Sequence, residues 1–156
     1  MNKKPSYYMF EHGKALLRKE FDHVFEEFEH MDLVGFNEGG DSCEIEIKVA
    51  DYDFYKEFKK ESKLAKHGMY LCEFGRKDGF YFCPTRYYFM VLSNFTVRAL
   101  KYLNQKMLPY GLIEYNSLKD RVLIIKKSER LTEQKWDGLL PECRGRDYRH
   151  KREVSI

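Results

Sequence analysis

The stretch Met31–Lys59, MDLVGFNEGGDSCEIEIKVADYDFYKEFK, decides the fold that we predict for this chain. Two runs in which apolar and polar residues alternate flank Gly39-Gly40, a pattern typical of a β-hairpin. From Asp51 the apolar residues follow helical spacing instead. The stretch therefore predicts two adjacent antiparallel strands followed by a helix.

The second predicted strand carries three charged residues at alternating positions. Because strand side chains alternate between faces, Glu44, Glu46 and Lys48 should share one face, while the isoleucines between them form the inward apolar face. On the first strand, Asp32 is the one charged residue of Met31–Phe36. A lone carboxylate in an apolar strand needs a partner, and one register of the hairpin would bring it beside Glu46.

Two carboxylates that converge on one point can bind Mg²⁺ or Mn²⁺, with water and phosphate in the remaining positions. We therefore predict Asp32 and Glu46 as metal ligands, and Glu27 as a further candidate ligand on the preceding segment. An ammonium beside the metal can position the attacking water or lower its pKa, and can stabilise charge on a phosphate. The predicted catalytic residues are Asp32, Glu46 and Lys48, and the predicted reaction is metal-assisted phosphodiester hydrolysis.

A structural alternative accounts for the same spacing. The pattern Glu44-x-Glu46-x-Lys48 is also typical of the solvated face of an ordinary antiparallel strand. In that case the chain would be a structural or interaction protein, and Asp32 and Glu46 on opposite sheet faces would support it.

Several blocks of the chain resemble the PD-(D/E)XK nuclease superfamily, and within it the MmcB-like DNA-repair proteins. Asp32–Phe36 resembles the first motif strand of that family, and Glu46–Val49 resembles its Glu-x-Lys strand. Three further blocks follow in the order of the family. Asp53-Phe54 and Lys59 match the spacing of the helix after the Glu-x-Lys strand. The run 79–84 resembles an aromatic strand that ends in proline, and residues 110–114 and 120–124 resemble the closing hairpin. The resemblance covers about residues 25 to 130.

This resemblance implies an α/β fold, a restriction-endonuclease-like mixed β-sheet flanked by helices. It also implies a magnesium-dependent nuclease that acts on DNA in repair, restriction or phage nucleic-acid processing. Glu26 and Glu27 crowd the region before Asp32, so the upstream acid of the family pattern is unassigned. A catalytically inactive nucleic-acid-binding protein of the same fold is the alternative.

Length and composition favour one globular domain. With 156 residues, 43% hydrophobic and 16% aromatic residues, we expect a single domain over residues 1–140 and a basic, flexible tail over 141–156. The formal charge of +3 is too small to indicate nucleic-acid binding by itself. No apolar run has the length of a signal peptide or a membrane span, so we expect a cytoplasmic protein that does not enter membranes. The four cysteines lack Cys-x-x-Cys spacing and are predicted to be free thiols.

Two basic segments are candidates for contact with nucleic acid, with DNA favoured over RNA. The first follows the hairpin on the predicted helix, and the second lies in the tail. Lysine and arginine side chains bind the phosphate backbone without reading its sequence. The candidate residues are Lys59, Lys63, Lys66, His67, Arg144, Arg146 and Arg149.

The remaining segments are predicted from periodicity and turn signals. A first helix begins after Ser6 as N-cap and runs to about Phe21, with two continuations open: further helix toward Phe28, or a strand near His23. A buried strand is predicted between Gly79 and Pro84, and an amphipathic helix over 87–106 capped by Thr85. Strands over 111–115 and 121–126 follow, separated by a polar turn.

Removal of residues 143–156 should weaken nucleic-acid binding and flatten its dependence on salt, because lost phosphate contacts act through counterion release. The melting temperature should stay nearly unchanged, since such a tail adds little to a core. Fluorescence titration of a labelled duplex across a series of salt concentrations measures both effects. Equal slopes for the full-length and truncated proteins would show that the tail does not contact nucleic acid.

Overall fold

The computed structural model describes residues 3–28, 31–38, 41–58 and 84–131. Three α-helices, six strands and one short 3₁₀ helix occur in these ranges. In chain order they are α1 Pro5–Arg18, β1 His23–Phe28, β2 Met31–Phe36, β3 Ser42–Lys48, α2 Asp51–Lys56, β4 Arg86–Leu92, the 3₁₀ helix Ser93–Phe95, α3 Thr96–Gln105, β5 Gly111–Asn116 and β6 Arg121–Lys126.

The six strands form one mixed sheet in the order β1-β2-β3-β4-β5-β6. The first three strands are antiparallel neighbours, β4 pairs in parallel with both β3 and β5, and β6 closes the sheet antiparallel to β5. A parallel pair needs a crossover connection, and helices lie in the connections on both sides of β4. The chain therefore has an α/β fold with a mixed sheet and flanking helices, as the sequence predicted at that level.

Each face of the sheet carries its own hydrophobic core. On one face, α1 supplies Met9 and Leu17, which pack with Leu33, Ile45 and residues of the same face on β4 and β5. The close approach of this helix depends on a glycine, because a Cβ at Gly13 would lie 2.5 Å from Leu33 Cδ1.

The opposite face lies beneath α2 and α3, and it is rich in aromatic residues. Phe54 of α2 and Leu103 of α3 pack against Tyr87, Phe89 and Leu112. Leu33 of β2 pairs with Ile45 of β3, and both lie on the face covered by α1. Glu46 of β3 pairs with Phe89 of β4, and both lie on the opposite face. We call this the α2 face; it contains the alternate β3 residues from Glu44 to Lys48.

The predicted β2–β3 hairpin and the predicted β5–β6 hairpin are both confirmed. The first turn is closed by a hydrogen bond from Asn37 N to Asp41 O at 2.9 Å. The turn between β5 and β6 places the backbone of Asp120 in the left-handed conformation, with φ 46°. Aspartate tolerates this conformation better than most residues, which explains a tight polar turn at that position.

The first helix is shorter than predicted, and of its two continuations the strand near His23 is confirmed. The helix ends at Arg18, and β1 pairs with β2 from His23 onward. Phe21 turns back to pack on Gly35, where an added Cβ would lie 2.9 Å from its ring. The predicted cap at Ser6 is also wrong, because Pro5 already occupies the first helical turn and Lys4 is the N-cap.

The predicted helix over 87–106 is wrong in its first half, where the chain forms strand β4. This strand lies between two parallel neighbours and buries both faces, so its apolar run does not alternate with polar residues. The helix α3 begins at Thr96, and Val97 in its first turn is 80% exposed. Thr85 caps no helix; its hydroxyl accepts a hydrogen bond from Ser42 N at 3.0 Å.

The predicted strand between Gly79 and Pro84 lies outside the described residues, except for Pro84. Cys43 is a buried free thiol, and burial raises its pKa to about 12. The other three cysteines fall outside the described ranges. Cys43 is therefore an unreactive core residue, in agreement with its prediction as a free thiol.

Gly111→Ala should lower the free energy of unfolding by about 1–3 kcal/mol, as expected for overpacking of a dense core. The added Cβ would meet the Tyr88 ring and lie 2.6 Å from the backbone nitrogen of Ser128. Val97→Ala is the matched control and should change stability by at most about 0.5 kcal/mol, because the side chain is exposed. Urea denaturation of both variants measures the difference. Equal stability of the two variants would contradict the described packing of β5.

Candidate functional site

Asp32 and Glu46 lie side by side on adjacent strands of the α2 face. The last residue pair described between β2 and β3 is Leu33 with Ile45. Continuing this antiparallel register by one residue places Asp32 opposite Glu46. A hydrogen bond supports this position, because Ile47 N donates to Asp32 Oδ2 at 2.8 Å. The backbone register therefore brings the two residues opposite each other, and the convergence of their carboxylates on a cation stays a prediction.

Lys48 completes the predicted triad from the last position of β3. Its ammonium donates to Glu46 Oε1 at 3.3 Å and to Glu57 Oε2 at 2.8 Å. Glu46 and Lys48 are only 4% and 8% exposed, and Glu57 is 1% exposed. These charged residues are buried beneath α2, so the interpretation of this strand as a solvated face is wrong.

The buried ammonium keeps its proton at neutral pH. Burial acts to lower the pKa of Lys48, but the neighbouring carboxylates of Glu46 and Glu57 outweigh it and raise this pKa above its usual value. Lys48 is thus a positive charge and a hydrogen-bond donor at neutral pH. General-base chemistry would require it to lose a proton that these contacts retain.

A further carboxylate and a phenol extend the site along the same face. Glu44 is fully buried and pairs in parallel register with Tyr87. Burial raises the pKa of Tyr87 well above its usual value, and the carboxylates of Glu44, Glu46 and Glu57 add to this effect. The phenol therefore remains neutral beside a group of acids.

Glu27 lies in β1, where its neighbours fix its place in the ladder. Glu26 pairs with Leu33 and Phe28 pairs with Met31, so the backbone of Glu27 lies opposite that of Asp32. Its side chain is outside the described part of the structure. Its assignment as a metal ligand therefore stays a prediction.

The described part of the site offers two carboxylates as ligands for a divalent cation of the magnesium type. Asp32 and Glu46 provide carboxylate oxygens, the ligands that Mg²⁺ and Mn²⁺ prefer. Among the described residues, no three His, Cys, Asp or Glu side chains lie close enough to hold a metal ion together. A cation held by described residues alone would therefore have Asp32 and Glu46 as its protein ligands and would need water or phosphate in its other positions.

The candidate nucleic-acid contacts cannot be placed by the same geometry. All of them lie outside the described residues: Lys59, Lys63, Lys66, His67, Arg144, Arg146 and Arg149. They stay predictions from the sequence.

Glu57 is the site residue that sequence reasoning missed. Lysines surround it in the sequence and no role was assigned to it, whereas its carboxylate is buried against Lys48. The spacing does contain a signal, because Glu57 follows the buried Phe54 by three residues, and positions three apart share one side of a helical turn. An acid on the inward side of a helix is a candidate partner for a buried lysine.

Comparisons with known proteins support the fold class alone. No protein-family model matches the chain, and no curated protein gives a significant match. Among solved structures, the chain is similar to the SPO1766 protein of unknown function from Silicibacter pomeroyi. The TM-score is 0.52 and the sequence identity 17%, over 99% of this chain and 94% of that chain. The two proteins share an α/β fold.

Among the helices of the described ranges, none combines the length and the apolar composition needed to cross a bilayer.

Asp32→Ala should lower the free energy of unfolding by about 1.5–3 kcal/mol in metal-free buffer, because Ile47 N loses a charged acceptor. Asp32→Asn is the matched control and should be closer to wild type, since an amide oxygen can still accept this hydrogen bond. Urea denaturation in the presence of EDTA measures both variants. Equal stability of Asp32→Ala and wild type would contradict the described contact.

Proposed function

We propose that this protein is a metal-dependent nuclease that hydrolyses phosphodiester bonds in DNA, with a restriction-endonuclease-like PD-(D/E)XK fold. One observation carries the proposal: Asp32 and Glu46 occupy neighbouring positions on adjacent strands, with the Lys48 ammonium beside Glu46. These three residues are the ones whose order resembles the family motif. Glu46 and Lys48 are buried on the face that also carries the half-buried Asp32, a physical setting that chance spacing would lack.

The proposed cofactor is Mg²⁺ or Mn²⁺, held by Asp32 and Glu46, with Glu27 as a further candidate ligand. Such a cation, when bound, lowers the pKa of water and neutralises charge on the phosphate. The carboxylates of the chain orient the cation, and Lys48 supplies a positive charge that needs no reorganisation during the reaction. Water attacks phosphorus, and the bond from phosphorus to the leaving oxygen breaks.

The proposed substrate is DNA in preference to RNA, and the proposed location is the cytoplasm. Phosphate contacts are assigned to the basic segments around Lys59–His67 and Arg144–Arg149, whose side chains suit a polyanion of any sequence. Repair, restriction or phage nucleic-acid processing are the settings that the family resemblance favours.

Cleavage assays on supercoiled, linear and single-stranded DNA and on RNA, with Mg²⁺, Mn²⁺ or EDTA, test the proposal. Wild type should cleave DNA with either cation and should be inactive in EDTA. Lys48→Ala should reduce the rate by a factor on the order of a hundred or more, as expected when one preorganised charge is lost. Lys48→Arg should not restore the rate fully, because a planar guanidinium replaces a compact ammonium.

Matched variants separate chemistry from folding. Asp32→Asn and Glu46→Gln keep side-chain volume and an acceptor oxygen but remove the charge a cation needs, so both should be inactive. Glu38→Gln removes an acid from a position that is 91% exposed and should cleave like wild type. Binding of DNA and Mn²⁺ without cleavage of any substrate would favour the inactive DNA-binding alternative. Wild-type rates in Lys48→Ala would contradict the proposed site.

A further inference from the structure

We propose that Glu57 is a positioning residue, which draws the Lys48 ammonium toward α2 and so leaves the Glu46 carboxylate available to a divalent cation. This inference rests on the proposed metal site at Asp32 and Glu46. It assigns a function to the residue that caps the C-terminus of α2 and does not belong to the predicted triad.

The two contacts of the ammonium are unequal. Lys48 Nζ lies 2.8 Å from Glu57 Oε2 and 3.3 Å from Glu46 Oε1. Charged N–H···O hydrogen bonds are strongest at about 2.7–2.9 Å, so the distance to Glu57 is in the strong range and the distance to Glu46 is beyond it. Glu57 is therefore the principal partner of Lys48 among the described residues.

The position of Glu57 is fixed by the core around it. Its backbone nitrogen donates to the carbonyl oxygens of Asp53 and Phe54 at 3.3 and 3.2 Å, which continues the last turn of α2. Phe54 is fully buried, and its ring packs edge-on against Phe89 with 5.1 Å between centroids. The backbone of Glu57 is therefore anchored to the core, which limits how far its carboxylate can move toward Glu46.

A lysine ammonium and a divalent cation compete for the same carboxylate, because both are attracted to its negative charge. If Glu57 loses its charge, Glu46 becomes the stronger of the two described partners of Lys48. The ammonium should then move toward Glu46 and oppose cation binding there. Glu57 itself is not expected to be a ligand, since no three acids, histidines or cysteines of the described ranges lie close enough to share a metal ion.

A double-mutant cycle in Mn²⁺ affinity tests this role without an activity assay. The four proteins are wild type, Glu57→Gln, Lys48→Met and the double variant, each titrated with Mn²⁺ alone by calorimetry. Glu57→Gln should weaken Mn²⁺ binding about tenfold in the presence of Lys48, within the range found for coupled neighbours. In the Lys48→Met background the same substitution should change affinity by less than about threefold, because no ammonium remains to move.

The outcomes distinguish the inference from the function on which it rests. Absence of Mn²⁺ binding in wild type would overturn both. Binding in wild type, with an equal loss from Glu57→Gln in both backgrounds, would overturn the positioning role alone. A complete loss in the Lys48→Met background would also overturn it, since Glu57 would then be a ligand.

A second comparison decides the matter if Lys48→Met does not fold. Glu44→Gln removes another buried carboxylate charge from the same face, and the described contacts of Lys48 Nζ do not include Glu44. Glu57→Gln should therefore weaken Mn²⁺ binding several-fold more than Glu44→Gln does. An equal loss in both variants would mean that net charge, not the position of Lys48, sets the affinity, and would overturn the inference.

Discussion

The buried contact of the Lys48 ammonium with Glu46 and Glu57 is the interaction on which the site depends. Removal of one partner from such a contact is strongly destabilising, by about 3–5 kcal/mol in comparable buried pairs, because the remaining charge is left uncompensated. Apolar residues of similar volume would often be at least as stable. The presence of these charges is therefore better explained by what they do than by the stability they provide.

The topology explains why a charged group can occupy the middle of a sheet. The strand β3 is antiparallel to β2 and parallel to β4, so it lies at the boundary between the two halves of the sheet. The chain leaves β3 at Lys48 and begins α2 three residues later, which brings Glu57 back over the strand. Asp32 then takes the place of a backbone acceptor for Ile47, at the point where the described β2–β3 pairing ends.

The parts of the fold predicted from sequence are those with simple periodicity. Alternation around Gly39-Gly40 predicted the β2–β3 hairpin, and two apolar runs separated by a polar turn predicted β5 and β6. The strand β4 was missed because it is buried on both faces, and its continuous apolar run does not distinguish a strand from a buried helix. The strand β1 was one of two continuations left open after the first helix, because it depends on pairing with β2, a tertiary contact that local periodicity does not contain.

The sequence likewise predicted some residues of the site and missed others. Asp32, Glu46 and Lys48 were predicted because alternation in a hairpin places them on one face. Glu57 was not predicted, because its role depends on how α2 packs on the sheet, and its neighbours in the sequence are charged. Burial of the Glu-x-Glu-x-Lys face could not be predicted either, since a solvated strand has the same spacing.

The most direct test of the central claim is the anomalous difference density of a crystal soaked in Mn²⁺. We expect one strong peak within coordination distance of both the Asp32 and the Glu46 carboxylates, with Lys48 Nζ still bonded to Glu57. A well-occupied crystal with no peak between these carboxylates, or with Mn²⁺ bound elsewhere alone, would contradict the account of this face as a metal-dependent catalytic site.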